Sequence, residues 1–190
     1  MEVKEVAMKY EYYTYADYAD WDDGNRYELI DGVPYMMSSP SLAHQEILIA
    51  MGSQFHHFLK GKPCKVLMAP FDVCLNAAGD RDNTVVQPDL MVICDKSKLD
   101  GKRCDGAPDM VAEILSPSNP NHDRVKKFNK YLQAGIREYW IVDPTNKVIT
   151  AHILKNGEYV VKSYSCDEAE AIPVHVLDGC TIDLMDIFAE

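Results

Sequence analysis

Two carboxylates lie within apolar, strand-like runs and are followed directly by a basic helical segment. Asp89 lies in VVQPDLMVIC (85–94), and Glu113 lies in MVAEILS (110–116). Ionised carboxylates are seldom buried unless a positive group or a metal ion compensates them. The basic segment NHDRVKKFNKYLQAG (121–135) comes next in the chain. The order of these features predicts a cation-binding site.

The chemistry of this site depends on whether the two apolar runs pair as strands. If they pair, Asp89 can approach Glu113 closely, and two such carboxylates repel unless they share a proton or a divalent ion. Oxygen ligands with open positions favour Mg²⁺ or Mn²⁺ over zinc. In the structural alternative, Asp89 merely follows a strand-starting proline and Glu113 pairs with a lysine. The two interpretations are balanced for Asp89 alone, and the metal site is favoured for the pair.

The basic segment predicts a helix that begins at Asn119-Pro120, ends at Gly135 and presents a polar stripe. Asp123, Lys127 and Tyr131 stand at i, i+4 and i+8, so they share one side of that helix. A solvated Asp–Lys pair is the default interpretation, because the apolar stripe lies on another side. That apolar stripe consists of Val125, Phe128 and Leu132. Tyr131 nevertheless indicates partial burial of the polar side, so Lys127 can reach a site at the helix edge.

The surrounding sequence must supply the elements that position these groups. Hydrophobic periodicity and turn residues predict one helix, then several strands, then the basic helix and further strands. The predicted elements are a hairpin over 27–38 with its turn at Asp31-Gly32, a helix over 41–60, extended segments over 65–77, strands at 85–94 and 109–115, a hairpin over 138–154, a strand over 158–164 and a short helix over 183–189. Such an order is typical of a mixed α/β or α+β fold. We expect one domain over 1–190, with its core at about 10–188.

Composition narrows the class of protein. The chain has 190 residues and contains no apolar run near the roughly 20 residues of a membrane span, so we expect a soluble, cytoplasmic protein. Its six cysteines form no C-x-x-C pair, which favours reduced thiols and argues against a zinc site. The sequence has no P-loop, no G-x-G-x-x-G, no G-x-S-x-G and no H-E-x-x-H, so nucleotide-binding, hydrolase-triad and zincin functions lack support.

Charge is distributed unevenly along the chain. The net charge of −11 argues against broad, salt-driven binding to nucleic acid. Residues 1–31 hold nine acids and three bases, whereas residues 96–137 hold nine bases and five acids. The positive potential is therefore concentrated around the paired carboxylates.

An ordered series of motifs resembles a known family. The motifs are YELIDG, SLAHQEI, PFDV, QPDLMVIC, GAPDMVAEILSPSN and DRVKKFNKYLQAGIREYWIVDP. They are similar to those of the Uma-two family, a widespread bacterial domain grouped with the restriction endonucleases of the PD-(D/E)XK nuclease superfamily. The resemblance spans roughly residues 10–188. It implies a restriction-endonuclease-like mixed central sheet flanked by helices, Mg²⁺ as cofactor with Mn²⁺ as a substitute, and DNA as substrate.

The resemblance also implies roles for individual residues. Asp89 and Glu113 match the metal-binding carboxylates, and the Ile114 carbonyl is a further candidate ligand. Glu28 in YELIDG matches an additional acidic position of the family. The sequence departs from the superfamily pattern two residues after the second acid, where Leu115 replaces the expected lysine. Lys127 matches the position on the following helix to which the family moves that lysine.

Other residues are expected to support the site or to bind nucleic acid. Asp72 in PFDV supports the carboxylates or closes a turn, and we favour support. His44 lies on the same helical side as Leu48, so a hydrogen-bonded core histidine near the site is favoured over a catalytic one. Asp123 and Tyr131 complete this supporting set. Lys126 and Lys130, on neighbouring stripes of the basic helix, are expected to contact DNA.

The sequence therefore predicts a PD-(D/E)XK-like, Mg²⁺-dependent DNA endonuclease. A homodimer would match the two strands of a duplex substrate. The alternative is a catalytically silent descendant that keeps the fold and binds nucleic acid or a protein partner. The acidic net charge favours this alternative, and the retained carboxylates with Lys127 oppose it.

Overall fold

The structure is a computed structural model that describes residues 12–116 and 122–189, except for the side chains of 122–124. Its α-helices are α1 Tyr15–Tyr18, α2 Leu42–Leu59, α3 Phe128–Ala134 and α4 Leu184–Ile187, and a π-helical segment His122–Lys127 precedes α3. Its strands are β1 Tyr27–Ile30, β2 Val33–Met36, β3 Lys65–Met68, β4 Asp72–Cys74, β5 Val85–Val86, β6 Leu90–Ile93, β7 Arg103–Asp105, β8 Met110–Ile114, β9 Glu138–Asp143, β10 Val148–Lys155, β11 Glu158–Ser165, β12 Ala171–Pro173 and β13 Thr181–Asp183. No helix among these residues is long and apolar enough to cross a membrane.

A six-stranded mixed sheet forms the centre of the fold. Its strand order is β11-β10-β9-β8-β6-β3. β8 lies between β6, to which it is antiparallel, and β9, to which it is parallel. The β6 pairing begins with Leu90 opposite Ala112, so the carboxylates one residue beyond, Asp89 and Glu113, come to the same end of the strand pair. These two segments therefore do pair, which was the condition for Asp89 to approach Glu113.

A five-stranded sheet in the order β2-β1-β5-β4-β7 packs on one face of the central sheet. Its β1–β2 hairpin turns at Asp31 and Gly32, whose φ angles are 53° and 77°. This positive-φ pair is typical of a type I′ turn and confirms the predicted hairpin. The hairpin matters for the site because it carries Glu28.

Side-chain alternation along β8 separates two apolar cores. Ala112 and Ile114 face a core built with α2 and α4, whereas Val111 and Leu115 face a core shared with α3 and the second sheet. The predicted mixed sheet flanked by helices is therefore confirmed, with the addition that one face is covered jointly by α3 and a sheet.

The prediction of one continuous strand over 85–94 was wrong. β5 and β6 belong to different sheets, and the segment 87–89 crosses between them. Pro88 lacks a backbone N–H and cannot contribute a donor to a central ladder, which explains the interruption. The break releases Asp89 from regular strand pairing.

The apolar stripe predicted for the basic helix was wrong at Val125, although Phe128 does pack against the core. The side chain of Val125 is 63% exposed, whereas Lys127 is 2% exposed and Tyr131 is fully buried. The cause is the π-helical segment, because its wider i→i+5 turn changes the angular spacing on which the stripe was based. The helix does end as predicted, with Gly135 in the left-handed conformation. Its predicted start at Asn119-Pro120 lies outside the described residues.

The prediction of six reduced thiols was wrong for one pair. Cys64 and Cys94 form a disulfide, although they are 30 residues apart. The pairing follows from the antiparallel register of β3 and β6, where Lys65 lies opposite Ile93 and the flanking cysteines therefore face each other. The other four cysteines are free thiols, and burial raises the pKa of Cys104 and of Cys180 to about 11.

Candidate active site

Glu113 is placed by strand alternation on the face of β8 that α3 covers. Its Oε1 atom lies 2.9 Å from Lys127 Nζ. The hydroxyl of Tyr131 donates to the same oxygen at 2.5 Å. Both partners come from the segment that follows β8, so the local connection brings a cation and a neutral donor onto one buried carboxylate.

A second buried carboxylate shares the same lysine. Glu28 lies in β1 and is 3% exposed. Its Oε1 atom lies 2.9 Å from Lys127 Nζ and accepts a hydrogen bond of 2.8 Å from the backbone N–H of Gln87. One ammonium thus bridges two buried carboxylates, which leaves the cluster with an excess negative charge.

Tyr131 acts in this cluster as a neutral donor. Burial raises the pKa of its phenol well above the ordinary value, and the charges of Glu113 and Glu28 raise it further. The hydroxyl therefore keeps its proton at neutral pH. It helps to fix the Glu113 carboxylate without adding charge.

Asp89 approaches the cluster from the break between β5 and β6. Its Oδ2 atom accepts a hydrogen bond of 2.8 Å from the backbone N–H of Ile114 and lies 3.1 Å from His44 Nε2. Within the described part of the chain, Oδ1 accepts no hydrogen bond. One oxygen is therefore held in place while the other remains available for a ligand.

His44 reaches Asp89 because of the way α2 begins. The Ser41 hydroxyl caps the helix by accepting a hydrogen bond of 3.2 Å from the backbone N–H of His44. This places the imidazole in the first turn, at the end of the helix that faces Asp89. The predicted hydrogen-bonded core histidine contacts the carboxylate site directly.

A cavity of about 330 Å³ opens onto these groups. The site residues among its lining are Glu28, His44, Asp89, Glu113, Ile114 and Lys127. The N–H and C=O of a strand residue point to the same edge, so the Ile114 carbonyl lies on the edge that faces Asp89. Carboxylate and carbonyl oxygens are the ligands that hard divalent cations prefer, so this donor set fits Mg²⁺ or Mn²⁺.

Leu115 occupies the position, two residues after Glu113, at which the resemblance leads one to expect a lysine. It lies in the core that also contains Tyr131. Glu113 and Leu115 share one face of β8, and Lys127 arrives over that same face from the next element. The ammonium that contacts Glu113 therefore comes from the helical segment after β8 and not from β8 itself.

Asp72 is connected to the site through another residue. Its Oδ1 atom accepts hydrogen bonds from the Tyr18 hydroxyl at 3.0 Å and from Gln87 Nε2 at 2.9 Å. Gln87 in turn donates its backbone N–H to Glu28. Asp72 is thus linked to Glu28 through Gln87, which is consistent with a supporting position. Gln87 was not predicted from the sequence, where its only signal is a polar residue inside an apolar run.

The remaining basic residues lie at the surface near the β1–β2 hairpin. Lys130 Nζ lies 2.5 Å from Asp31 Oδ1, and Lys126 Nζ lies 4.1 Å from the centre of the Tyr35 ring. Their predicted contact with DNA stays a prediction. The side chain of Asp123 lies outside the described residues.

Comparisons with known proteins identify the family and support the fold. A protein of Synechocystis sp. (strain ATCC 27184 / PCC 6803 / Kazusa), the uncharacterized protein slr1290, is 26% identical over 156 residues, which cover 80% of each chain. The crystal structure of "a putative nuclease belonging to DUF820" from Anabaena variabilis ATCC 29413 matches with a TM-score of 0.72 at 17% identity, covering 93% of this chain and 97% of that one. The family Uma2, described as "Putative restriction endonuclease", matches residues 15–185. The chain belongs to the Uma2 family.

Proposed function

We propose that this protein is a Mg²⁺-dependent DNA endonuclease that hydrolyses phosphodiester bonds. The observation that carries the proposal is the Lys127 ammonium, which bridges Glu28 and Glu113 in the wall of a cavity that Asp89 also lines. Buried charges that face an open cavity are typical of functional sites. Family membership supports a nuclease in general terms.

In the proposed reaction, some side chains bind the metal ion and others orient those ligands. Asp89 and Glu113, with the Ile114 carbonyl, would hold the cation, and a bound divalent ion polarises the phosphate and activates water. His44 and the Ile114 N–H orient Asp89, and Tyr131 orients Glu113.

Lys127 supplies positive charge at a fixed position beside the carboxylates. A preorganised ammonium in a largely buried site stabilises negative charge that develops on a phosphate during hydrolysis. Its two carboxylate partners compensate the ammonium in the ground state. Lys127 can therefore perform from the helix the role of the lysine that Leu115 replaces.

A second candidate is a catalytically silent binding protein with the same fold. The net charge of −11 favours it, because an acidic surface opposes the phosphate backbone. The assembled cluster opposes it, because a protein without a reaction has no evident need to bury Lys127 between two acids beside an open cavity.

The test compares Asp89→Asn and Glu113→Gln with the wild type. Each variant should weaken Mn²⁺ binding by calorimetry and abolish nicking of plasmid DNA. Both should remain folded, because Lys127 keeps Glu28 as a partner when Glu113 is neutral and like-charge repulsion falls. Asp178→Asn, an exposed acid away from the cavity, is the matched control and should behave as the wild type.

Two results would contradict the proposal in different ways. Unchanged Mn²⁺ affinity in both variants would contradict the assignment of Asp89 and Glu113 as metal ligands. Wild-type metal binding without any cleavage of single- or double-stranded DNA would instead favour the silent alternative. Sedimentation of the protein with and without duplex DNA would test the proposed homodimer.

A further inference from the structure

A second cavity, of about 220 Å³, adjoins the candidate active site. The residues of its lining that matter here are Tyr18, Trp21, Arg26, Tyr27, Asp72 and Gln87. Arg26 lines both cavities, and Gln87 lines only the second. Arg26 therefore separates two neighbouring cavities.

Aromatic rings form one wall of the second cavity. The Trp21 ring packs edge-on against Tyr18, with 5.8 Å between centroids, and against Tyr27, with 5.3 Å. All three side chains are half-buried, so their rings are held by one another and still reach the cavity. Such a surface suits a flat, apolar-faced ligand.

The polar groups at the other side form a network with a defined hydrogen-bonding capacity. Gln87 Oε1 accepts from Arg26 Nη2 at 2.6 Å, and Gln87 Nε2 donates to the Tyr18 hydroxyl at 2.8 Å and to Asp72 Oδ1 at 2.9 Å. Both amide hydrogens of Gln87 are therefore in use. Asp72 Oδ2 accepts no hydrogen bond from any residue that the structure describes, so the carboxylate offers a ligand an acceptor.

The same hydrogen-bond network connects the second cavity to Glu28 in the candidate active site. Gln87 donates its backbone N–H to Glu28 while its side chain holds Asp72. Gln87 and Asp89 are two residues apart, and two residues of chain span at most about 7 Å. A ligand with a phosphate in the first cavity can place an adjoining planar group in the second, with Arg26 between them.

We propose that the second cavity binds an unstacked nucleobase next to the phosphodiester that is cleaved, and that Asp72 selects bases with an exocyclic amino group. This inference rests on the proposed nuclease function. Cytosine, adenine and guanine present an exocyclic amino donor, whereas the N3–H of thymine lies between two carbonyl oxygens that a carboxylate repels. Stacking on aromatic side chains supplies affinity that does not depend on sequence.

The overall charge gives an independent reason for such a pocket. A chain with a net charge of −11 gains little affinity from the phosphate backbone of its substrate. Contacts to bases must then supply a larger share of binding. A cationic ligand would also suit aromatic rings beside a carboxylate, but the Arg26 guanidinium in the wall opposes it.

Trp21 provides a direct probe of the proposed pocket. The chain has two tryptophans, and Trp140 is fully buried in the core, so a ligand in the second cavity should quench Trp21 alone. The titration uses deoxycytidine and deoxyuridine in the presence of EDTA, because these nucleosides differ in the amino and carbonyl groups that Asp72 would distinguish. We expect saturable quenching by deoxycytidine and an affinity for deoxyuridine about tenfold lower.

Variants separate base binding from nonspecific quenching. Trp21→Phe should lose the response, and Asp72→Asn should bring the two nucleosides to within about threefold of each other, because the carboxylate that repels a carbonyl is gone. Tyr12→Ala, an exposed aromatic residue outside the cavity, is the matched control and should leave both affinities unchanged.

The outcomes are decisive because the titration contains no metal and no cleavage. Equal quenching by both nucleosides, no quenching by either, or quenching by tetramethylammonium instead would overturn the inference while leaving the proposed nuclease function intact. If DNA is cleaved, sequencing of the ends should show adenine, cytosine or guanine beside the cut. An equal share of thymine at that position would also overturn the inference.

Discussion

Two groups of acids in the described part of the chain are compensated in different ways. Glu28 and Glu113 share the Lys127 ammonium beside an open cavity. The second group consists of Cys74, Asp82 and Asp105, whose potential metal-ligand atoms all lie within 4.8 Å of one another. Proximity alone would suggest a metal site at this second group.

The second group is satisfied by its own loop. Asp82 is fully buried and accepts backbone hydrogen bonds from Asn76 and Thr84, each at 2.8 Å, and one from the Asn76 side chain at 2.9 Å. Burial raises the pKa of the Cys74 thiol far above its ordinary value, and a protonated thiol is a poor metal ligand. The groups that compensate a buried acid therefore distinguish a structural cluster from a functional one better than the acids themselves do.

The largest effect on stability is expected at the structural cluster. Asp82→Ala removes the acceptor for several buried donors and should lower the free energy of unfolding by on the order of 4 kcal/mol, measured in urea. Asp80→Ala, which breaks a surface pair with Arg103 in the same loop, should cost little. The folded fraction of Asp82→Ala should keep its Mn²⁺ affinity. A loss of metal binding in that variant would contradict a purely structural role for the Asp82 group.

A somewhat smaller effect on stability, together with a loss of turnover, is expected for Lys127→Met. The substitution leaves Glu28 and Glu113 buried without their shared cation, which should cost about 3 kcal/mol in urea unfolding. Turnover should fall on the order of a hundredfold, as for the loss of other single electrostatic donors. Metal affinity should change little or rise, because a competing positive charge is absent.

Lys126→Ala and Lys130→Ala are the matched controls for Lys127. Each should leave stability nearly unchanged and mainly reduce the affinity for DNA and its salt dependence. Turnover unaffected by Lys127→Met would place that lysine with the structural residues.

The smallest effect is expected for Tyr131→Phe, and it depends on pH. At pH 7 the loss of the hydrogen bond to Glu113 should cost about 1 kcal/mol of unfolding free energy. The pKa of Tyr131 is higher in the folded protein than in the unfolded chain, so its contribution is complete below about pH 10 and is lost as pH rises further. The wild type should therefore lose stability faster than the variant above pH 10.

Urea unfolding at pH 7 and at pH 10.5 measures this difference. The wild type and the variant should both weaken at the higher pH, because burial also raises the pKa of Tyr18 and Tyr159. A gap between the two proteins that widens with pH would contradict a neutral Tyr131 in the folded state.

Local patterns in the sequence predicted many of the elements and the central pair of acids. The α2 helix, the β9–β10 hairpin and the Asp31-Gly32 turn follow from periodicity and turn residues, which act between neighbours in the chain. Patterns of this kind failed at Pro88, where the predicted strand divides between two sheets, and at the π-helical segment, which rotates Lys127 into the interior.

The amino-acid sequence by itself determined the family, the mixed α+β class and the presence of two carboxylates in apolar runs followed by a basic helix. Tertiary structure decided which groups meet: His44 with Asp89, Lys127 with both Glu28 and Glu113, and Cys64 with Cys94. These partners are separated by 14 to 99 residues, so strand order, register and helix geometry determine their contacts, and these are properties of the packed sheet that no local window of sequence contains.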